Sequence, residues 1–229
     1  MMSARVLSTL TMLCLGGPWA AAAEDYKALL DEAVANVEWN IEESWAFTET
    51  SLSEGELYVG RFDPRLEEDA RWALLSVDGK EPTDDQRRKY AHDRNEHSDD
   101  ESDGDYRVVA MVNPDTLELV EETDEHWTFT FVPEQDDPAF RDSVDAKIRI
   151  VKNGRYIESL EMRNFQDIRP GFGTRITQLQ MRFFFGPAIE NGPIVPLSLD
   201  VQIRGRALLF IGFDETEVKK YSAFEYAGS

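Results

Sequence analysis

The chain has 229 residues, a single cysteine and a formal net charge of −21 at neutral pH. So acidic a surface argues against nucleic acid and anionic lipid headgroups as general partners, because like charges repel. The length suits one domain with a sizeable core.

The N-terminus has the pattern of a secretory signal peptide. Arg5 is followed by an apolar run over residues 6–17, and Ala21, Ala22 and Ala23 supply small residues for cleavage. The run is shorter than the ~20 residues that a spanning helix needs, so we predict no transmembrane segment in the mature chain. Residues 1–23 are the predicted leader and residues 24–229 a single periplasmic domain, with outright secretion as the alternative. The cysteine lies in this leader, so the mature chain needs no disulfide.

Apolar side chains recur every three or four residues from 25 to 37, which predicts an amphipathic helix. A helix of this length is not stable alone, so its stripe must cover an apolar surface. We predict that the stripe acts as a lid formed by Tyr26, Leu29, Leu30, Val34 and Val37.

The next segments predict a hairpin of strands 45–52 and 57–62, turned at Gly55, and a third strand over 72–77. A polar helix follows to about residue 97, with Thr83 and Gln86 forming a capping box. Residues 98–105 are acidic and predict a solvated linker rather than a calcium loop, because Ala110 occupies the position where calcium needs a glutamate.

The remaining sequence is almost wholly of β type, and Asn153 with Gly154 predicts a tight hairpin turn. Alternation of apolar and polar residues over 197–213 predicts one long wall strand, bent at Gly205 and covered on both faces from 208 to 213. The fold class is therefore α+β and mainly antiparallel β: a strongly curved sheet or half-barrel of about ten strands, its concave face covered by the N-terminal helix. The other predicted strands are 106–112, 117–121, 127–132, 146–151, 156–164, 174–185 and 218–226.

Several strands present one face of large apolar side chains, which is typical either of a packed core or of a cavity for an apolar ligand. An open, empty apolar trough is too costly for one domain, so the face must be covered. The loops 168–172 and 186–196 are predicted to complete the cover. The candidate cavity residues are Trp127, Phe129, Phe131, Leu179, Met181, Phe183, Phe185, Leu199, Val201 and Ile203.

No catalytic motif appears in the sequence. There is no Gly-x-Ser-x-Gly elbow or phosphate-binding loop, and His92, His97 and His126 lack zinc-ligand spacing. We therefore predict no enzyme activity, no metal site and no cofactor.

The order of elements, with the C-terminal stretches 205–210 (Gly-Arg-Ala-Leu-Leu-Phe) and 218–226, resembles the LolA/LolB-like periplasmic lipoprotein carriers. The resemblance implies a half-open barrel that binds a lipid or lipoprotein acyl chain beneath a helical lid. The family's lid-holding arginine has no single counterpart, since Arg61, Arg182, Arg204 and Arg206 are all available. The alternative function is a non-catalytic envelope module with a packed core and an acidic face for a protein partner.

Overall fold

The structure is a computed structural model that describes residues 21–53, 55–101, 109–171, 173–208 and 211–228. Most of the predicted signal peptide, residues 1–20, lies outside the described residues. The helices are α1 (Ala21–Ala35), α2 (Ile41–Ser44), α3 (Asp84–Glu101) and α4 (Pro138–Arg141), with 3-10 turns at Glu68–Ala70 and Pro114–Thr116. The strands are β1 (Trp45–Ser53), β2 (Glu56–Phe62), β3 (Trp72–Val77), β4 (Glu118–Glu122), β5 (His126–Phe131), β6 (Val144–Val151), β7 (Tyr156–Asn164), β8 (Ile168–Gly171), β9 (Thr174–Pro187), β10 (Ile194–Ala207) and β11 (Ile211–Tyr226).

All eleven strands form one open antiparallel sheet, which confirms the predicted fold class. Its order is β3-β2-β1-β11-β10-β9-β7-β6-β5-β4, with the short β8 added to β9. Two meanders, β1 to β3 and β4 to β11, meet where the first strand pairs with the last. Among the described helices none is long and apolar enough to cross a bilayer.

The register defines an inner face that can be followed across the whole sheet. Residues directly opposite each other in antiparallel strands point to the same side. One row of such residues crosses all ten strands of the main path. Its members on β3, β2, β1 and β11 are mostly polar, and every member from β10 onward is apolar. From one edge to the other it runs Val77, Tyr58, Ser51, Lys219, Leu199, Phe183, Leu160, Ile148, Phe129 and Leu119.

The outer face carries cross-strand ion pairs. Arg204 on β10 lies 2.8 Å from Asp214 on β11, and Arg182 on β9 pairs with Asp200 on β10. The alternation that the sequence predicted therefore separates a wet outer face from a drier inner one.

Two hydrophobic clusters lie on the inner face. The first cluster packs strands β5, β6, β7 and β9 under α1, and the second packs β1 to β3 with α2 and the end of β11. Leu30 and Ala33 of α1 are buried in the first cluster, and the Tyr26 ring lies 4.9 Å from that of Phe129. The predicted amphipathic helix is thus present, and burying Leu30 contributes roughly 1.5–3 kcal/mol. It begins four residues earlier than predicted, and Val37 lies beyond its end.

The capping box of α3 is confirmed. The Thr83 backbone N–H donates to Gln86 Oε1 at 2.9 Å, and the Gln86 backbone N–H donates to Thr83 Oγ1 at 3.3 Å. These two bonds satisfy backbone donors that would otherwise be exposed at the helix start, which explains why so polar a segment begins a helix at this point.

The predicted wall strand over 197–213 is wrong at its C-terminal end. The chain turns at Leu208, so Ile211 and Phe213 belong to β11, and Leu208 and Ile211 are 61% and 51% exposed rather than covered. The alternation of apolar and polar residues in the sequence continues across this turn, because no glycine, asparagine or proline marks the turn. Leu208 itself takes the left-handed φ of 49°. At Gly205 the register with β9 does shift, as the predicted bend requires.

Three further predictions need correction. In the predicted strand 106–112, the described residues 109–110 are helical and only Val112 makes a bridge, with Pro133. The predicted lid loop 168–172 contains strand β8, whose Ile168 is fully buried against β9. The second lid loop shrinks to 188–193, because β9 extends to Pro187 and β10 begins at Ile194, with Pro196 beside a bulge.

Candidate ligand-binding face

The sequence-predicted cavity residues all lie on the inner face, at two levels of burial. Five of them are buried inside the first cluster: Phe129, Phe131, Leu179, Phe183 and Phe185. Four more are half-buried against it: Trp127, Met181, Leu199 and Ile203. Val201 is half-buried between its strand partners Met181 and Glu217.

The predicted lid residues lie over the first cluster. Leu30 and Val37 are buried, and Tyr26, Leu29 and Val34 are half-buried on the same surface. Trp39, which follows α1, extends this cover with its ring 5.3 Å from that of Phe185. The helix is anchored to the β6–β7 turn by Asn36, whose side chain donates to the Arg155 carbonyl at 2.9 Å. Part of the predicted face is therefore core beneath a fixed helix.

The half-buried part of the face lies along the middle of β9 and β10, at the margin of the first cluster. In the row through Phe131, Ala146, Met162 and Met181, the side chains remain apolar as far as Val201 on β10. The next residue in that row is Glu217 on β11. The apolar surface therefore ends at a sharp polar border between β10 and β11.

A polar pocket of about 470 Å³ lies on the other side of this border, between α3 and strands β1, β2 and β11. It carries cations and anions together with two tyrosine rings, so it suits a polar group rather than a hydrocarbon. Its lining residues are Ser51, Ser53, Glu56, Tyr58, Gln86, Lys89, Tyr90, Asp93, Arg94, Glu217 and Lys219.

An ion pair beside this polar pocket joins α3 to the sheet. Glu49 on β1 has 2% of its side chain exposed and pairs with Arg94, which is 13% exposed. The Arg94 guanidinium also lies 4.8 Å from the Trp72 ring centroid. Buried charges are tolerated only when paired, so this contact fixes where α3 lies.

Gly60 forms the notch into which α3 docks. It lies opposite Glu49 on β2, and a Cβ there would overlap the Tyr90 hydroxyl and stand 2.9 Å from Tyr90 Cζ. The Tyr90 ring packs 6.2 Å from that of Trp72 in an edge arrangement. Only glycine permits so close an approach of the ring to the strand.

Lys219 marks the border between pocket and apolar surface. Its side chain is 14% exposed, its ammonium lies 3.2 Å from Glu217, and its strand partner on β10 is Leu199. Sequence reasoning did not find Lys219, Glu49, Arg94 or Gly60. The only indication of this site in the sequence was a lysine at a position of β11 that the strand pattern places on the inner face.

No group of three or more potential metal-ligating side chains occurs in the described residues. The pKa of Asp63 is lowered by hydrogen bonds from Arg65, and that of Glu122 is lowered by a hydrogen bond from Lys152. These shifts report local ion pairs rather than a poised acid or base.

Comparison of the chain with protein-family models, characterised proteins and solved structures gives no match. The resemblance to LolA/LolB-like carriers therefore stays a prediction, and function has to be argued from the inner face itself.

Proposed function

We propose that this protein is an exported envelope protein of LolA-like architecture that binds or carries a lipid or other acyl-chain ligand on the inner face. The observation that supports this is the half-buried apolar strip formed by Met181, Leu199, Val201 and Ile203. These side chains point to the covered side of the sheet, yet their cover among the described residues is incomplete.

The strip and the polar pocket together suit an amphiphile. A hydrocarbon chain along β9 and β10 would gain roughly 0.8 kcal/mol per buried methylene, before the cost of association. Its polar end would lie across the border, beside Lys219. A purely apolar ligand would leave the polar pocket unused.

Bulky substitution at Val201 tests the proposal with a matched control. Val201→Trp fills the strip, while Gln202→Trp places the same side chain on the outer face of the same strand. We expect the first to weaken binding of a fluorescent fatty acid by about tenfold or more and the second to change it less than about twofold. Equal binding by both variants and the wild type, or no binding by the wild type, would contradict the proposal.

The alternative, a non-catalytic envelope module with an acidic face for a protein partner, is favoured by one observation. The edge strand β4 and the turn after it expose Glu118, Glu121, Glu122, Asp124 and Glu125. A basic partner bound there is expected to dissociate as salt rises, because exposed charges are screened over about 8 Å at physiological ionic strength. Pull-down at low and high salt separates this function from ligand binding.

A further inference from the structure

The wall of the polar pocket contains a buried hydroxyl. Ser51 on β1 is only 7% exposed, and its side chain points into the pocket because its strand partners Tyr58 and Lys219 line the same space. Within the described part of the chain, the Ser51 hydroxyl neither donates nor accepts a hydrogen bond. Buried hydroxyls are normally hydrogen-bonded, so this one is available to a polar group held in the pocket.

Two walls of the pocket each carry a cation beside an anion. On α3, Lys89 and Asp93 are four residues apart, which places their Cβ atoms about 5–6 Å apart on one helix face. On β11, Lys219 and Glu217 are two residues apart, about 7 Å along the strand, and both point inward. Lys219 is paired with Glu217 at 3.2 Å, whereas Lys89 makes no ion pair with any described residue.

The charges around the pocket nearly cancel. The described lining residues with charge are Lys89, Arg94 and Lys219 against Glu56, Asp93 and Glu217. Glu49, which does not line the pocket, pairs with Arg94 and adds one further negative charge. A ligand head with a single charge would therefore meet at least about as many like charges as opposite ones, and burying a charge without compensation is costly. A head that carries both signs finds a counterpart for each.

We infer that the polar pocket binds the zwitterionic head of an amphiphile, in which a phosphate and an ammonium are joined by a two-carbon linker. The phosphate lies beside Ser51 and Lys89, and the ammonium beside Glu217. Such a linker keeps the two charges within about 5 Å of each other, close to the separation of the charged positions on α3. The inference rests on the proposed function for the chain, which reaches the apolar strip where Lys219 pairs with Leu199.

Titration calorimetry with monomeric dodecyl amphiphiles tests the inference, because the chain is constant and only the head varies. Dodecylphosphocholine is expected to bind the wild-type protein at least about tenfold more tightly than dodecyl sulfate, dodecyltrimethylammonium or dodecyl maltoside, which still bind through the chain. Free phosphocholine identifies the source of the head. Weaker binding than dodecylphosphocholine indicates a lipid, and equal binding indicates a free zwitterion, which supports the pocket and contradicts the apolar strip.

Two variants test the pocket residues. Lys89→Gln removes a pocket cation and is expected to weaken binding of dodecylphosphocholine by about tenfold. The matched control is Arg88→Gln on the next residue of α3, whose side chain is 72% exposed and does not line the pocket, and its effect should stay below about twofold. Ser51→Ala is expected to weaken binding by about threefold or more without lowering Tm, because no hydrogen bond within the described protein is lost.

Thermal unfolding verifies that each variant is folded. The inference is overturned if another head binds as tightly as that of dodecylphosphocholine, or if neither dodecylphosphocholine nor phosphocholine binds. It is also overturned if Lys89→Gln binds dodecylphosphocholine as tightly as Arg88→Gln does. Failure of the proposed function gives a different result: dodecylphosphocholine then binds no better than phosphocholine, and Val201→Trp changes neither affinity.

Discussion

Replacing Gly60 with alanine is expected to loosen α3 from the sheet. The added Cβ would overlap the Tyr90 hydroxyl and lie 2.9 Å from Tyr90 Cζ, so the ring has to move. Tyr90 is held between Trp72 and Tyr58, and Arg94 one turn later is held by Glu49. The strain therefore falls on the one face by which α3 contacts the sheet.

The expected magnitude follows from two opposing effects. Alanine in a strand interior is favoured over glycine by about 0.5–1 kcal/mol, while overpacking costs about 1–3 kcal/mol. We expect a net loss of about 1–2 kcal/mol in the free energy of unfolding, or roughly 3–6 °C in Tm for a chain of this size.

Urea and thermal unfolding measure this change in the free energy of unfolding, and two further variants serve as controls. Gly212→Ala adds a Cβ whose nearest contact, the Gly205 carbonyl oxygen, is 4.0 Å away, so we expect it to be neutral or stabilising by up to about 1 kcal/mol. Tyr90→Phe removes the overlapping atom, so Gly60→Ala should be less destabilising in that background. The reasoning is refuted if Gly60→Ala behaves like Gly212→Ala, or if its effect is unchanged by Tyr90→Phe.

Two further predictions concern charge. Glu49→Gln removes the buried charge that pairs with half-buried Arg94 and is expected to cost about 3–5 kcal/mol in the free energy of unfolding. Arg88→Gln breaks an exposed pair with Asp85 and is expected to cost less than about 1 kcal/mol, and urea unfolding measures both. Hydrogen bonds from Arg65 lower the pKa of Asp63, so its contribution to stability is complete above about pH 4 and is lost as the pH falls through the lowered pKa. Asp63→Asn should flatten that part of a Tm-against-pH curve, and an unaltered curve would contradict this role.

The fold could be predicted from local signals because most elements obey them. Strand β3 and strand β7 have the predicted bounds, and the capping box placed the start of α3 within one residue. The turn at Leu208 was missed because its backbone conformation is one that leucine rarely adopts, so residue type gave no warning.

The apolar part of the candidate site could be predicted from the sequence, and the polar part could not. Alternation along β9 and β10 identified which side chains point inward, because period two is a local property. The pairing of Glu49 with Arg94, 45 residues apart, and the docking of Tyr90 over Gly60 arise from tertiary packing. No local pattern encodes such contacts, and the polar composition of α3 made it resemble a solvated helix.

The pairing of β1 with β11 sets the order in which this molecule assembles. Ser222 and Thr48 lie 174 positions apart in the chain and are neighbours in the interior of the sheet. Among the described strands, the N-terminal hairpin and the meander from β4 to β10 pair with β11 and not with each other, so the sheet becomes continuous only when the last strand is in place. Closing so long a loop is entropically costly and gives a slow final folding step. Until that step, β1 and β10 each remain an unpaired edge, open to pairing with other chains or to recognition by a chaperone.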